Sequence, residues 1–163
     1  MRSFFRKIHV GAAVGTAIFL VAVWWIVFCM IGTPRRLLYF LSGCPFVLPS
    51  WMLILLLFVF FALSGFCVGA VLFAERCTDE ISKYRGAFFF SIAITAGYLW
   101  YAMTFGAALF LPAILLAAVM VAGLVITAVN FSRCSCVASK GMWIAAGWGV
   151  YLLVFSVVWF LFF

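Results

Sequence analysis

Charge is nearly missing from this sequence. Only 8% of its 163 residues are Asp, Glu, Lys or Arg, and only three are acidic. Glu75, Asp79 and Glu80 all fall in one short stretch, and the single histidine, His9, stands beside Lys7 near the N-terminus. No ionisable side chain of these types lies inside the long apolar runs. Proton- and ion-coupled transporters keep such groups within their spans, so that class is disfavoured. Hydrolytic and transferase chemistry lacks its usual general acids and bases, which points away from an enzyme. The six cysteines include no C-x-x-C pair. The C-x-C of Cys134 and Cys136 has no histidine or further close ligand, so no metal site is expected. The apolar runs do not alternate with polar residues, as the strands of a membrane barrel would.

What fills the chain is apolar. Hydrophobic residues make up 71% and the mean hydropathy is +1.39. No soluble core hides that fraction, so the solvent and first partner is the lipid bilayer. Five runs separate, at about 10–32, 49–74, 86–105, 108–131 and 142–163. Each approaches or exceeds the roughly 20 residues that a spanning helix needs. The reading is all-α: residues 1–163 form a single five-helix transmembrane domain. The first run follows MRSFFRK, yet it is longer than a signal-peptide core and ends without an A-x-A-like site, so it reads as a retained helix. Gly106 and Pro112 mark a tight hairpin between the third and fourth runs.

The net charge of +7 does not point to nucleic acid here, because the ten basic residues are confined to connectors and the N-terminus. With the N-terminus inside, the inner face carries Arg2, Arg6, Lys7, Arg76, Lys83, Arg85, Arg133 and Lys140, and the outer face only Arg35 and Arg36. That bias predicts a cytoplasmic N-terminus, and the short connectors fit a bacterial inner membrane. The connector 75–85 reads as a solvated turn. Cys29 and Cys67 read as small packing residues within spans. Cys44 falls on the outer side, away from Cys77, Cys134 and Cys136. A membrane thiol–disulfide protein using Cys44 with Cys134 or Cys136 is the weakest alternative.

Small residues recur four apart at Gly11 and Gly15, at Gly65 and Gly69, and at Gly141, Ala145 and Gly149. Such spacing lets helices approach closely, either within the bundle or at a homodimer seam. Aromatic residues reach 20%. Many tryptophans and tyrosines suit the headgroup level. Trp100 falls deeper, and Tyr98, Trp100 and Tyr101 cannot share one helix face, so at least one points inward.

The stretch Pro45-Phe46-Val47-Leu48-Pro49-Ser50-Trp51 is a proline-punctuated, aromatic lead-in to the second run. It resembles the lead-in to helix two of the TspO/MBR family, the tryptophan-rich sensory and translocator proteins. Gly65, Trp100 with Phe105, and Tyr151-Leu152-Leu153 with Ser156 resemble further segments of that family, and the five-span layout covers nearly the whole chain. The family's second tryptophan on helix two falls at Leu57. Its helix-three Gln and Asn fall at Ala93 and Gly97, and its helix-five Trp and Asn at Val154 and Phe162. Aliphatic or aromatic residues, or glycine, thus replace much of its ligand-orienting polarity.

The resemblance implies sensing or transport of a small hydrophobic planar ligand, a porphyrin or sterol, with no obligatory cofactor. Phe46, Pro49 and Trp51 would form the lid and lip of a pocket open towards the first connector. Phe61, Gly97, Trp100 and Tyr151 would wall it. The alternative is a structural or assembly subunit whose aromatics and glycines only pack, with no cavity between the helices.

Overall fold

The computed structural model describes residues 10–31, 49–73, 77 and 79–162. Among the described residues, five helices are long and apolar enough to cross a membrane: α1 (Val10–Ile31), α2 (Ser50–Leu72), α3 (Glu80–Tyr101), α4 (Phe110–Phe131) and α5 (Cys136–Phe162). The protein is an all-α, integral membrane bundle, as its run lengths predict, and no strand occurs among the described residues.

Helix boundaries depart from the hydropathy runs in an instructive way. α3 begins at Glu80 rather than near Gly86, and α5 begins at Cys136 rather than near Met142. Glu80, Lys83 and Arg85 therefore lie in the first turns of a helix and not in a solvated turn. Charge marks where the hydrocarbon ends, but Lys, Arg and Glu are good helix formers, so the backbone continues past that level. What sets the start of α3 is its cap. Asp79 accepts from the backbone N–H of Ser82 at 3.1 Å and from the Ser82 hydroxyl at 2.7 Å. Those bonds satisfy a helix N-terminus. Pro49 caps α2 from outside, with φ −50° and ψ 141°.

The hairpin between α3 and α4 forms where it is expected. It uses a π-helical turn, Ala102–Gly106, and then Ala108 at φ 53°. Pro112 occupies the first turn of α4, where its missing N–H costs nothing.

The main contacts run α1–α2, α2–α5, α5–α4 and α4–α3, and α3 closes the ring against α2, with Phe61 stacked on Tyr98. α3 returns to α1 through the Tyr98 hydroxyl, which donates to the Leu20 carbonyl at 2.9 Å, and through Tyr101 against Phe28. The α1–α2, α3–α4 and α4–α5 pairs are packed most extensively, and α2–α5 more lightly. Glycines set several close approaches. A Cβ on Gly65 would lie 2.7 Å from the Ala17 Cα, and one on Gly69 would lie 2.7 Å from the Ala13 Cα. A Cβ on Gly11 or Gly15, with the same spacing, would meet nothing within 4 Å among the described residues. The face of α1 that meets α2 is therefore the Ala13–Ala17 face.

Candidate functional site

The interior of the ring is filled with aromatic rings. Phe61 stacks on Tyr98 with centroids 4.8 Å apart and planes 11° apart. Trp24 lies against Phe61 at 6.1 Å, and Tyr101 against Phe105 at 4.9 Å. Trp100 is 0% exposed, and its indole N–H donates to the Ser156 hydroxyl at 2.7 Å. The Ser156 hydroxyl in turn donates to the Leu152 carbonyl at 2.9 Å. Trp100 is thus a tie between α3 and α5, set in T-shaped contact with Phe105 and Phe155. Gly97 is not an opening either, because a Cβ there would meet the Met120 sulfur at 3.1 Å.

Two clefts lie instead between neighbouring helices, both open to the outside of the bundle. One, of about 380 Å³, runs between α1 and α2 along Ala17, Val21, Trp25 and Phe58. The other, of about 390 Å³, runs between α2 and α5. Its α2 wall includes Leu56, Phe60 and Leu63, and its α5 wall includes Ala145, Trp148 and Tyr151. Gly147 and Ala145 present little side chain at its α5 wall, while Trp148 and Tyr151 stand as a stacked pair 4.8 Å apart at 19°. The buried indole N–H of Trp148 has no hydrogen-bond partner among the described residues.

The expected site residues are therefore not brought together. Phe61, Gly97 and Trp100 are packing groups of the interior, and Tyr151 lines the α2–α5 cleft. Trp51 is 67% exposed and Pro49 is also exposed, and neither lines a cleft described above. Phe46 lies outside the described residues, as does Cys44. Trp24 was not legible as an interior group from composition. Its signal is position: it stands about two turns inside α1, too deep for the headgroup level.

The end of the bundle that carries the α2–α3 and α4–α5 connectors holds the polar cluster. Cys77 and Cys134 form a disulfide, and the Asp79 carboxylate lies 3.5 Å from the Arg133 guanidinium. Cys134 therefore pairs with Cys77 and not with Cys44. The reason is topological: the connectors after α2 and α4 meet at one end of the bundle. Cys67 is buried as expected, but Cys29 is exposed on α1. No group of three or more His, Cys, Asp or Glu residues suited to a metal occurs among the described residues.

The Ser82 hydroxyl holds the Asp79 carboxyl below its ordinary range, helped by the Ser82 N–H and by Arg133. The depressed value means that the cap stabilises the fold above the ordinary carboxylate range, and that this is lost as pH falls through the folded value. Asp79→Ala is expected to lower the thermal midpoint at neutral pH. Wild-type and variant midpoints should converge on acidification below about pH 4. Arg133→Ala should change either midpoint little, because an exposed pair contributes about 0–1 kcal/mol. Circular dichroism melts in detergent across that range check both statements.

Compared with family models, with curated proteins and with solved structures, the chain matches none.

Proposed function

We propose that this is a TspO-like protein of a bacterial inner membrane, with a cytoplasmic N-terminus, that captures a small hydrophobic planar ligand of the porphyrin or sterol kind for sensing or transport. The site is the α2–α5 cleft. The observation that carries the reading is the Trp148–Tyr151 stack, which lines an apolar cleft of about 390 Å³. That volume lies in the range of small-molecule sites, and apolar walls with a few polar tips are their usual composition. Binding follows from burial, at about 1.5–3 kcal/mol for each large apolar group fully removed from solvent. Stacking against the ring pair adds about 0.5–1.5 kcal/mol. Entry is from the lipid side, since the walls lie midway along both helices. The excess of Lys and Arg on the connectors after α2 and α4 supports the orientation.

A packing subunit is the second reading. Its support is the close-packed interior at Phe61, Gly97 and Trp100.

A titration of detergent-solubilised protein with protoporphyrin IX, followed by tryptophan fluorescence, separates the two. Saturable quenching is expected at micromolar ligand. Trp148→Phe should weaken the dissociation constant about 2- to 10-fold, the equivalent of the lost part of a stack. Trp51→Phe should leave it unchanged. Quenching that never saturates and is the same in all three proteins would leave the packing subunit.

A further inference from the structure

The Cys77–Cys134 disulfide stands at an informative place. Cys77 follows the end of α2, and Cys134 shortly precedes the start of α5. The bond therefore ties together the two helices that wall the cleft. Between bond and cleft the same two helices touch closely, where Gly141 of α5 packs on the Cys67 sulfur of α2. At 1.5 Å per residue, the near edge of the cleft, at Leu63 and Ile144, lies about 12–14 Å from these helix ends. A change in how the ends are held bears on the cleft through that contact.

The second observation is chemical. The Lys and Arg bias places this end of the bundle in the cytoplasm. Cytoplasmic thiol pools keep static disulfides reduced, and disulfides that do form there are transient or redox-sensing. Both cysteines are partly exposed, so a small thiol can reach them. The reduced form also has a place for its protons. The Asp79 carbonyl oxygen lies 3.4 Å from the Cys77 sulfur and 3.6 Å from the Cys134 sulfur, so it is an acceptor within reach of either thiol.

We propose that Cys77 and Cys134 form a reversible dithiol–disulfide site, exchanging with a low-molecular-weight thiol of the cytoplasm, that clasps and releases the α2 and α5 walls of the cleft. The inference rests on the orientation and the cleft proposed above. In the reducing direction a thiolate attacks one sulfur of the pair and the other leaves as a thiolate that takes up a proton. A second thiolate then attacks the mixed disulfide, freeing the remaining cysteine, which is protonated in turn. Two small thiols become one small disulfide, and the protein gains two electrons and two protons. Oxidation is the reverse, with the small disulfide as oxidant. Cys136, free and exposed beside the pair, is not part of the clasp.

The test uses the full-length protein in detergent, equilibrated with glutathione buffers stepped from oxidised to the reduced state of the cytoplasm. Three readings are taken: alkylation mass shift, amide hydrogen exchange at the α2 C-terminus and α5 N-terminus, and the protoporphyrin titration. Expected are full reduction of the pair in the cytoplasm-like buffer, at least tenfold faster exchange at both helix ends, and a change of threefold or more in the dissociation constant. Cys77→Ser should show the reduced behaviour in every buffer, and Cys136→Ser should respond as wild type does. A pair that stays oxidised in the cytoplasm-like buffer overturns the proposal, and so does a pair that reduces with no change in exchange. Faster exchange without saturable porphyrin binding upholds the clasp while sinking the ligand reading of the cleft.

Discussion

Replacing Gly65 or Gly69 with leucine is expected to separate α1 from the bundle. At both positions a new Cβ would lie 2.7 Å from a Cα of α1, Ala17 in one case and Ala13 in the other. A flexible side chain could swing aside, but backbone cannot, so the helices must move apart. Overpacking of this kind costs about 1–3 kcal/mol where neighbours can adjust, and more where they cannot. Within a bilayer the separated helices have no hydrophobic penalty to draw them back, because lipid is as apolar as the lost partner. Either variant should therefore lose at least about 3 kcal/mol in an SDS unfolding titration, at the upper end of that range. Gly15→Leu is the matched control. It has the same Gly-x-x-x-Gly spacing with nothing within 4 Å among the described residues, so it should stay within about 0.5 kcal/mol of wild type. Equal loss in all three would mean that the outer face of α1 also has a partner, and a shift in oligomeric state in Gly15→Leu would identify that partner as a second copy.

The second large effect concerns Trp100. Trp100→Ala removes the largest ring at the α3–α5 contact and should cost about 3–5 kcal/mol, the usual range for a buried tryptophan. Ser156→Ala takes away the indole's acceptor together with the hydroxyl's own local bond to the Leu152 carbonyl. In water-soluble cores, stranding a buried donor costs about 1–3 kcal/mol, whereas interhelical hydrogen bonds in membranes average about 0.6 kcal/mol. The membrane value should govern here, so the expected loss is about 1 kcal/mol. A double-mutant cycle of Trp100→Phe with Ser156→Ala should show that coupling, and a coupling near zero would mean that the 2.7 Å contact contributes only shape. Neither Ser156→Ala nor Trp100→Phe should alter porphyrin quenching by more than the loss of one fluorophore. Trp100 is an interior tie and does not line the α2–α5 cleft. A large affinity loss in Ser156→Ala would instead place the ligand inside the ring.

Much of the fold was legible without coordinates. A chain with five apolar runs of spanning length and almost no charge has one stable arrangement of its backbone polar groups, which is helices satisfied internally. The depth of Trp100 was legible for the same reason. Helix ends were less so. Hydropathy reports where lipid stops, while α3 starts where Asp79 and Ser82 cap it.

Side-chain direction and partner choice were beyond the sequence. Nothing in the spacing of Gly11 and Gly15 separates them from Gly65 and Gly69, yet only the second pair meets backbone. Phe61, Trp100 and Tyr151 are all large aromatics within spans, but the first two fill the interior and the third lines a cleft. The one partner the sequence reading offered Cys134 was Cys44, and its actual partner, Cys77, followed from which connectors meet at one end of the bundle.

The sequence by itself determined the solvent of this protein, its class and its number of spans, because those depend on summed hydropathy over some twenty residues and not on neighbours. Only the tertiary structure decided the ring order, the filled interior, the α2–α5 cleft and the disulfide. Each of these depends on which face of one helix meets which face of another. In lipid every outward face is apolar, so hydrophobic periodicity, which orients helices in water, carries little of that information.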